Sequence, residues 1–256
     1  MKIDYHNHIL PGDNYVEDWI REMDRLGFDK TVFAGLPEYF GFGLNSWTLD
    51  AIKKHPDRII GFAWLDLGVD PPEVVDKYAE QGFSGIKFIA PHICYNDPRA
   101  FPVYERIEKL GLATLFHTGI VLVNDRMRGQ DCDSSRMQPV YIDGPAREFP
   151  NVTFHIAHLG IPWHEEAATL VRMHPNVTAD ITGRVWRDQK GVDWFRDLLW
   201  FEGAWDKILF GTDVTGGVEE FEAQYNKQCY IVEGLGLDEA TQRKFFGENA
   251  ARLLKL

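Results

Sequence analysis

Gly85-Ile86-Lys87-Phe88-Ile89-Ala90, then Pro102-Val103-Tyr104-Glu105-Arg106-Ile107-Glu108-Lys109-Leu110, then Ala113-Thr114-Leu115-Phe116-His117-Thr118-Gly119 read as strand, helix and strand. The outer runs are short and rich in β-branched or aromatic residues. The middle run opens on proline and spaces its apolar residues at helical intervals. Two strands joined through a helix lie parallel in one sheet.

The same alternation extends in both directions. It predicts further strands over Lys2 to His8, Thr31 to Leu36, Ile59 to Asp66, Val152 to Gly160, Val177 to Gly183 and Ile208 to Asp213. Helical spacing recurs in Val16 to Leu26, Pro72 to Gln81, Glu165 to His174 and Val192 to Trp205. At Lys54-His55-Pro56-Asp57 and Met173-His174-Pro175-Asn176, proline stops a helix before the next strand, so these junctions belong to the face opposite the active site. About eight strands close a parallel barrel, and the expectation is a single (β/α)8 TIM-barrel domain over residues 1–256. A doubly wound open sheet produces much the same alternation, so the choice rests on the chemistry at the strand ends. No linker, low-complexity tract or short-period repeat divides the chain.

Hydrophobic residues make up 45% and charged residues 26%, the composition of a globular protein. The net charge of -12, from 39 acidic against 27 basic residues, repels phosphate backbones and anionic headgroups, so neither nucleic acid nor membrane is expected as a partner. A small-molecule substrate is expected instead, and a homo-oligomer stays open. No apolar run has transmembrane length and the first residues lack a signal peptide's apolar segment. Cys94, Cys132 and Cys229 are widely spaced, which suggests neither disulfides nor a zinc knuckle and fits a reducing cytoplasm.

The nine histidines divide by position. His55 and His174 sit in the helix-ending junctions, where a structural role at the helix dipole is expected. His6 and His8 lie two apart on the first strand, so a period of two puts both, with Asp4, on one face near its carboxyl end, the arrangement of a chelate. His117 ends the fifth strand and His158 the sixth, polar groups on apolar strands whose tops converge in a barrel. His155, on the opposite parity from His158, is expected against the helices. His92 and His164 follow strands four and six in loops at the mouth, where contact with substrate or with solvent is expected. Asp213 closes the eighth strand in Leu209-Phe210-Gly211-Thr212-Asp213, five residues short of the next helix, which weakens a capping explanation. Lys87 has the parity of the barrel interior, and a buried lysine requires a partner.

Phe116-His117-Thr118-Gly119, Ala157-His158-Leu159-Gly160, Phe210-Gly211-Thr212-Asp213 and Glu248-Asn249-Ala250-Ala251-Arg252-Leu253-Leu254 resemble the amidohydrolase superfamily. The closer resemblance is to the amidohydrolase-related branch that includes aminocarboxymuconate-semialdehyde decarboxylase. That resemblance implies one divalent metal, usually zinc, on His6, His8, His117 and Asp213, with His158 as general acid/base and Asp213 as a second proton acceptor. Three imidazoles and a carboxylate suit such an ion and leave a position for water. In binuclear relatives the strand-four lysine is carboxylated and bridges two metals, so Lys87 holds a second metal or meets substrate. Asp4, His6 and His8 also match the polymerase-and-histidinol-phosphatase type, which the later motifs fit poorly.

Two reactions follow: hydrolysis of a C–O or C–N bond in a small lactone, ester or amide, or decarboxylation or hydration of an unsaturated or aromatic carboxylic acid. The ligand set does not separate them. Short strand-helix connections tilt the expectation toward hydrolysis, because the decarboxylases resembled carry insertions there. His92 and Arg184 are candidate substrate contacts, and Arg126, Arg128 and Arg187 further cations near the mouth. A barrel that binds without catalysing is the third reading.

Overall fold

The structure is a computed structural model, and it describes residues 1–122, 124–183 and 191–256. Eight parallel strands follow one another in chain order: β1 (Ile3–Asn7), β2 (Lys30–Ala34), β3 (Ile59–Trp64), β4 (Gly85–Phe88), β5 (Ala113–Phe116), β6 (Phe154–Ile156), β7 (Val177–Asp180) and β8 (Ile208–Leu209). Tyr5 N donates to Phe210 O at 3.0 Å and Asp213 N to His6 O at 2.7 Å, so the chain beyond β8 is stitched to β1 and the sheet curls round on itself. The expected (β/α)8 barrel is the fold.

The helices that follow the strands are α1 (Tyr15–Leu26), α2 (Asn45–Lys54), α3 (Val74–Gln81), α4 (Phe101–Leu110), α5 (Asp143–Glu148), α6 (His164–Met173), α7 (Val192–Leu198) and α8 (Glu220–Gly234), with α9 (Glu239–Arg243) and α10 (Asn249–Leu254) after them. In α1, Tyr15, Trp19 and Met23 recur every four residues and are buried. Gly27, at φ 72°, then lets Phe28 N donate back to Met23 O and turns the chain into β2. Among the described residues, no helix is long and apolar enough to cross a membrane.

Alternation along each strand builds two cores. Val32, Ala34, Ile60, Phe62 and Leu115 fill the barrel interior with Tyr5, while Phe33, Phe88 and Phe116 face the helices. Ala250, Leu253 and Leu254 of α10 pack on the interior cluster, and Asn249 Nδ2 donates to Trp205 O and Ile208 O, so α10 covers the amino ends of the strands. The outer layer includes Trp19, stacked on Phe221 at 4.4 Å, which joins α1 to α8.

Five expectations need correction. Asp4 pairs with Thr31 but Asn7 with Phe33, so β1 spends three steps where β2 spends two. This bulge re-aims the side chains. Tyr5 reaches across the interior to donate to Thr114 O at 3.2 Å, and the adjacent His6 also turns inward. Asp4 accepts instead from Thr212 N at 3.0 Å and Thr212 Oγ1 at 2.7 Å, so it does not share a face with His6 and His8. β6 stops at Ile156, because His158 and Leu159 turn at φ 59° and 42°. His155 consequently lies inside the barrel, 4.6 Å from the Tyr5 ring, rather than against the helices. The helix expected to run to Trp205 ends at Leu198, and Gly203 then adopts φ 73°. Connections are not short throughout: 26 residues, 117–142, separate β5 from α5, with three turns of 3-10 helix among the described ones, which removes connection length as an argument for hydrolysis.

Candidate metal centre

Asp213 stands at the carboxyl ends of the strands, at φ 45°, a conformation that a non-glycine residue adopts only where its surroundings hold it. Its carboxylate is 16% exposed and three imidazoles face it. Oδ1 lies 3.4 Å from His8 Nε2 and 3.7 Å from His6 Nε2, and Oδ2 lies 3.8 Å from His158 Nε2. Burial pushes the Asp213 carboxyl up, but His6, His158, His8 and Lys87 outweigh it and hold it below its ordinary value.

The far nitrogens of two rings say where their protons are. His8 Nδ1 lies 2.8 Å from Ala34 O, which only accepts, so Nδ1 carries the proton and Nε2 presents a lone pair. His6 Nδ1 lies 2.8 Å from Asp180 Oδ2, and Asp180 is held well below the usual carboxylate range because His6 and His155 outweigh the effect of its burial. His6 Nδ1 is therefore the donor, and its Nε2 lone pair accepts from Lys87 Nζ at 3.1 Å. Burial keeps both rings neutral, with His6 at about 4 and His8 at about 3. Lone pairs turned inward, with the opposite nitrogen held by an acceptor, are the arrangement of metal-binding histidines.

His117 is 8% exposed, its ring 5.0 Å from that of His158. Its Nε2 is buried with no hydrogen-bond partner, a cost that a bound cation would relieve. Burial, then His158 and Lys87, push this ring well below the usual imidazole range. The donor atoms of His6, His158 and Asp213 all lie within 4.8 Å of one another, a possible metal site, so the geometry groups His158, the expected acid/base, with two of the expected ligands. Lys87 is fully buried and pushed down to about 8 by burial.

Sequence reasoning passed over Asp180 and Thr182. The signal was present in Val177-Thr178-Ala179-Asp180-Ile181-Thr182, where polar residues alternate with apolar ones at the period of a strand. At the mouth, His92 is 38% exposed, its Nδ1 3.2 Å from Asp131 and its Nε2 3.5 Å from Asp66, so it binds two loops together and is not brought into the cluster around Asp213. Arg128 is exposed and pairs with Asp125, and Arg126 is exposed beside Gly41. Arg184 and Arg187 lie outside the described residues. His164 opens α6, its Nδ1 2.9 Å from Leu159 O, and is not a loop residue in solvent.

The model of the amidohydrolase family matches residues 3–256. Among curated proteins, 2-amino-3-carboxymuconate-6-semialdehyde decarboxylase of Dictyostelium discoideum is 27% identical over 126 residues, a match that spans 42% of this chain and only 35% of that relative. An uncharacterised TIM-barrel protein of Bordetella bronchiseptica has a similar structure, with a TM-score of 0.75 at 16% identity over 99% of this chain and 98% of that one. A protein of Pseudomonas putida described as a putative 2-pyrone-4,6-dicarboxylic acid hydrolase has a TM-score of 0.68 at 18% identity, over 99% and 97% of the two chains.

Proposed function

Since the chain belongs to the amidohydrolase family, we propose that it is a metal-dependent hydrolase acting on the C–O or C–N bond of a small lactone, ester or amide. The observation that carries this reading is the convergence of the His6, His8 and His158 Nε2 atoms on one carboxylate, that of Asp213. His6, His8, His117 and Asp213 would hold one divalent ion, zinc by the chemistry of the donor set. When bound, such an ion supplies a Lewis acid and lowers the pKa of its water to about 7.

The protein's own groups divide the remaining work. His158 Nε2 takes the proton of the attacking water and returns it to the leaving oxygen or nitrogen. Asp213, its Oδ2 3.8 Å from His158 Nε2 and its carboxyl held below its ordinary value, would share that proton. Lys87 Nζ holds His6 Nε2 in the metal-free protein, and once the ion takes that lone pair the ammonium would be free to turn toward the substrate's carbonyl oxygen. His92 and Arg184 are the proposed substrate contacts.

Hydrolysis of an uncharged carbonyl suits the described mouth, where Asp66 and Asp131 flank His92, and Arg136 is held by Asp131 at 2.9 Å and by Pro91 O at 3.0 Å. The second reading, a lyase for an unsaturated or aromatic carboxylic acid, is favoured by the decarboxylase from Dictyostelium discoideum. Metal analysis of the purified protein, joined to a screen of lactones, esters, amides and carboxylic acids, tests both. Release of acid supports hydrolysis, and release of CO2 from a carboxylic acid overturns it in favour of the lyase.

A further inference from the structure

Asp180 is wholly buried at the end of β7, and both of its oxygens are engaged. Oδ2 lies 2.8 Å from His6 Nδ1 and 3.1 Å from His155 Nε2. Oδ1 accepts from His158 N at 2.8 Å, Thr182 N at 3.0 Å and Thr182 Oγ1 at 2.5 Å. A carboxylate so surrounded has no proton to give. The Thr182 hydroxyl has one hydrogen, and Asp180 Oδ1 takes it. Thr182 Oγ1 also lies 2.6 Å from His158 Nδ1, and toward that atom it can only accept.

We propose that Asp180 and Thr182 are positioning residues which hold His158 in one tautomer, with its proton on Nδ1 and its Nε2 lone pair turned toward Asp213 and the reacting water. The inference rests on the reading of His158 as the acid/base group. The backbone supports the same geometry. His158 sits at φ 59°, and its N–H is tied to Asp180 Oδ1, so one oxygen holds both the strained backbone and, through Thr182, the ring. Gly183, at φ 74°, leaves the ring its place: a Cβ there would stand 3.0 Å from His158 Nδ1. Through Oδ2 the same carboxylate sets the tautomer of His6, so the proposed ligand and the proposed base are oriented by one group on a strand that contributes neither.

The test combines a spectroscopic and a kinetic measurement on the zinc-loaded and metal-free protein. With 15N-labelled histidine, at alkaline pH where imidazoles are neutral, the His158 signals are assigned by their loss in His158→Asn. They are expected to show the Nδ1–H form in the wild type and a mixture in Thr182→Val. Turnover of Thr182→Val is expected to fall about 10- to 100-fold, with KM and zinc content within about twofold of wild type, and Thr182→Ser is expected to restore it. An Nε2–H tautomer in the wild type overturns the proposal, and so does a Thr182→Val protein with unchanged tautomer and turnover. If Thr182→Val fails to fold, the wild-type spectrum alone decides. If His158→Asn keeps full turnover, the acid/base reading has failed, while the wild-type spectrum still reports on the tautomer that Asp180 and Thr182 hold.

Discussion

Lys87 Nζ donates to His6 Nε2 at 3.1 Å, which puts a buried ammonium on the very lone pair that a metal ion needs. The two cations compete for one acceptor, and the low dielectric of the interior sharpens the competition. Lys87 must turn away or lose its proton when an ion binds His6, and its pKa, pushed down to about 8 by burial, makes that loss accessible.

Lys87→Met should therefore keep one equivalent of metal and bind it at least about tenfold more tightly, about 1.4 kcal/mol, because a competing charge is gone. Metal titration at neutral pH against a fluorescent chelator measures the change. A fall from two equivalents to one would instead identify a lysine that bridges two ions.

His6 and His8 are neutral in the fold at about 4 and about 3, whereas unfolded imidazoles protonate near 6.5. Between pH 6.5 and about 4 the unfolded chain binds more protons, so these rings contribute stability above pH 6.5 that is lost as pH falls. Urea midpoints of the metal-free protein should decline across that window. A flat profile would mean that the two rings do not meet the interior as neutral groups.

His158→Asn should keep the metal content near one equivalent while turnover drops by about 10²- to 10⁴-fold, the usual contribution of a positioned acid/base group. Atomic absorption and initial rates on one preparation measure the two effects. Loss of metal in this variant would move His158, which lies about as near Asp213 as His6 does, into the ligand set.

Chelation should abolish turnover and lower the melting temperature, with zinc restoring both. At a free ion concentration about 100 times Kd, binding stabilises the fold by about 2.7 kcal/mol, which is roughly 5–10 °C for a chain of this size. Turnover that survives chelation would overturn the metal-dependent reading, while unchanged melting alone would place the ion elsewhere.

Much of this was legible from residue order. Strand-helix alternation, with apolar side chains at periods of two and near four, is a local property, and it predicted about eight parallel strands, while the choice of a closed barrel over an open sheet rested on the chemistry at the strand ends. His117, His158 and Asp213 were placed at strand ends because each follows an apolar run, and His6 and His8 because they stand two apart on the first strand.

Only the tertiary structure decided which of those groups meet and how they are held. The β1 bulge, which turns both Tyr5 and His6 inward, is a mismatch between two strands and leaves no mark on either alone. The left-handed turns at His158 and Asp213 are conformations uncommon for any residue but glycine, so residue order does not announce them and the surrounding hydrogen bonds decide them. Asp180 could be seen as a polar residue on a strand. That it faces His6, His155 and Thr182 at once follows from closing the barrel, which brings β1, β6 and β7 within hydrogen-bond distance of one carboxylate.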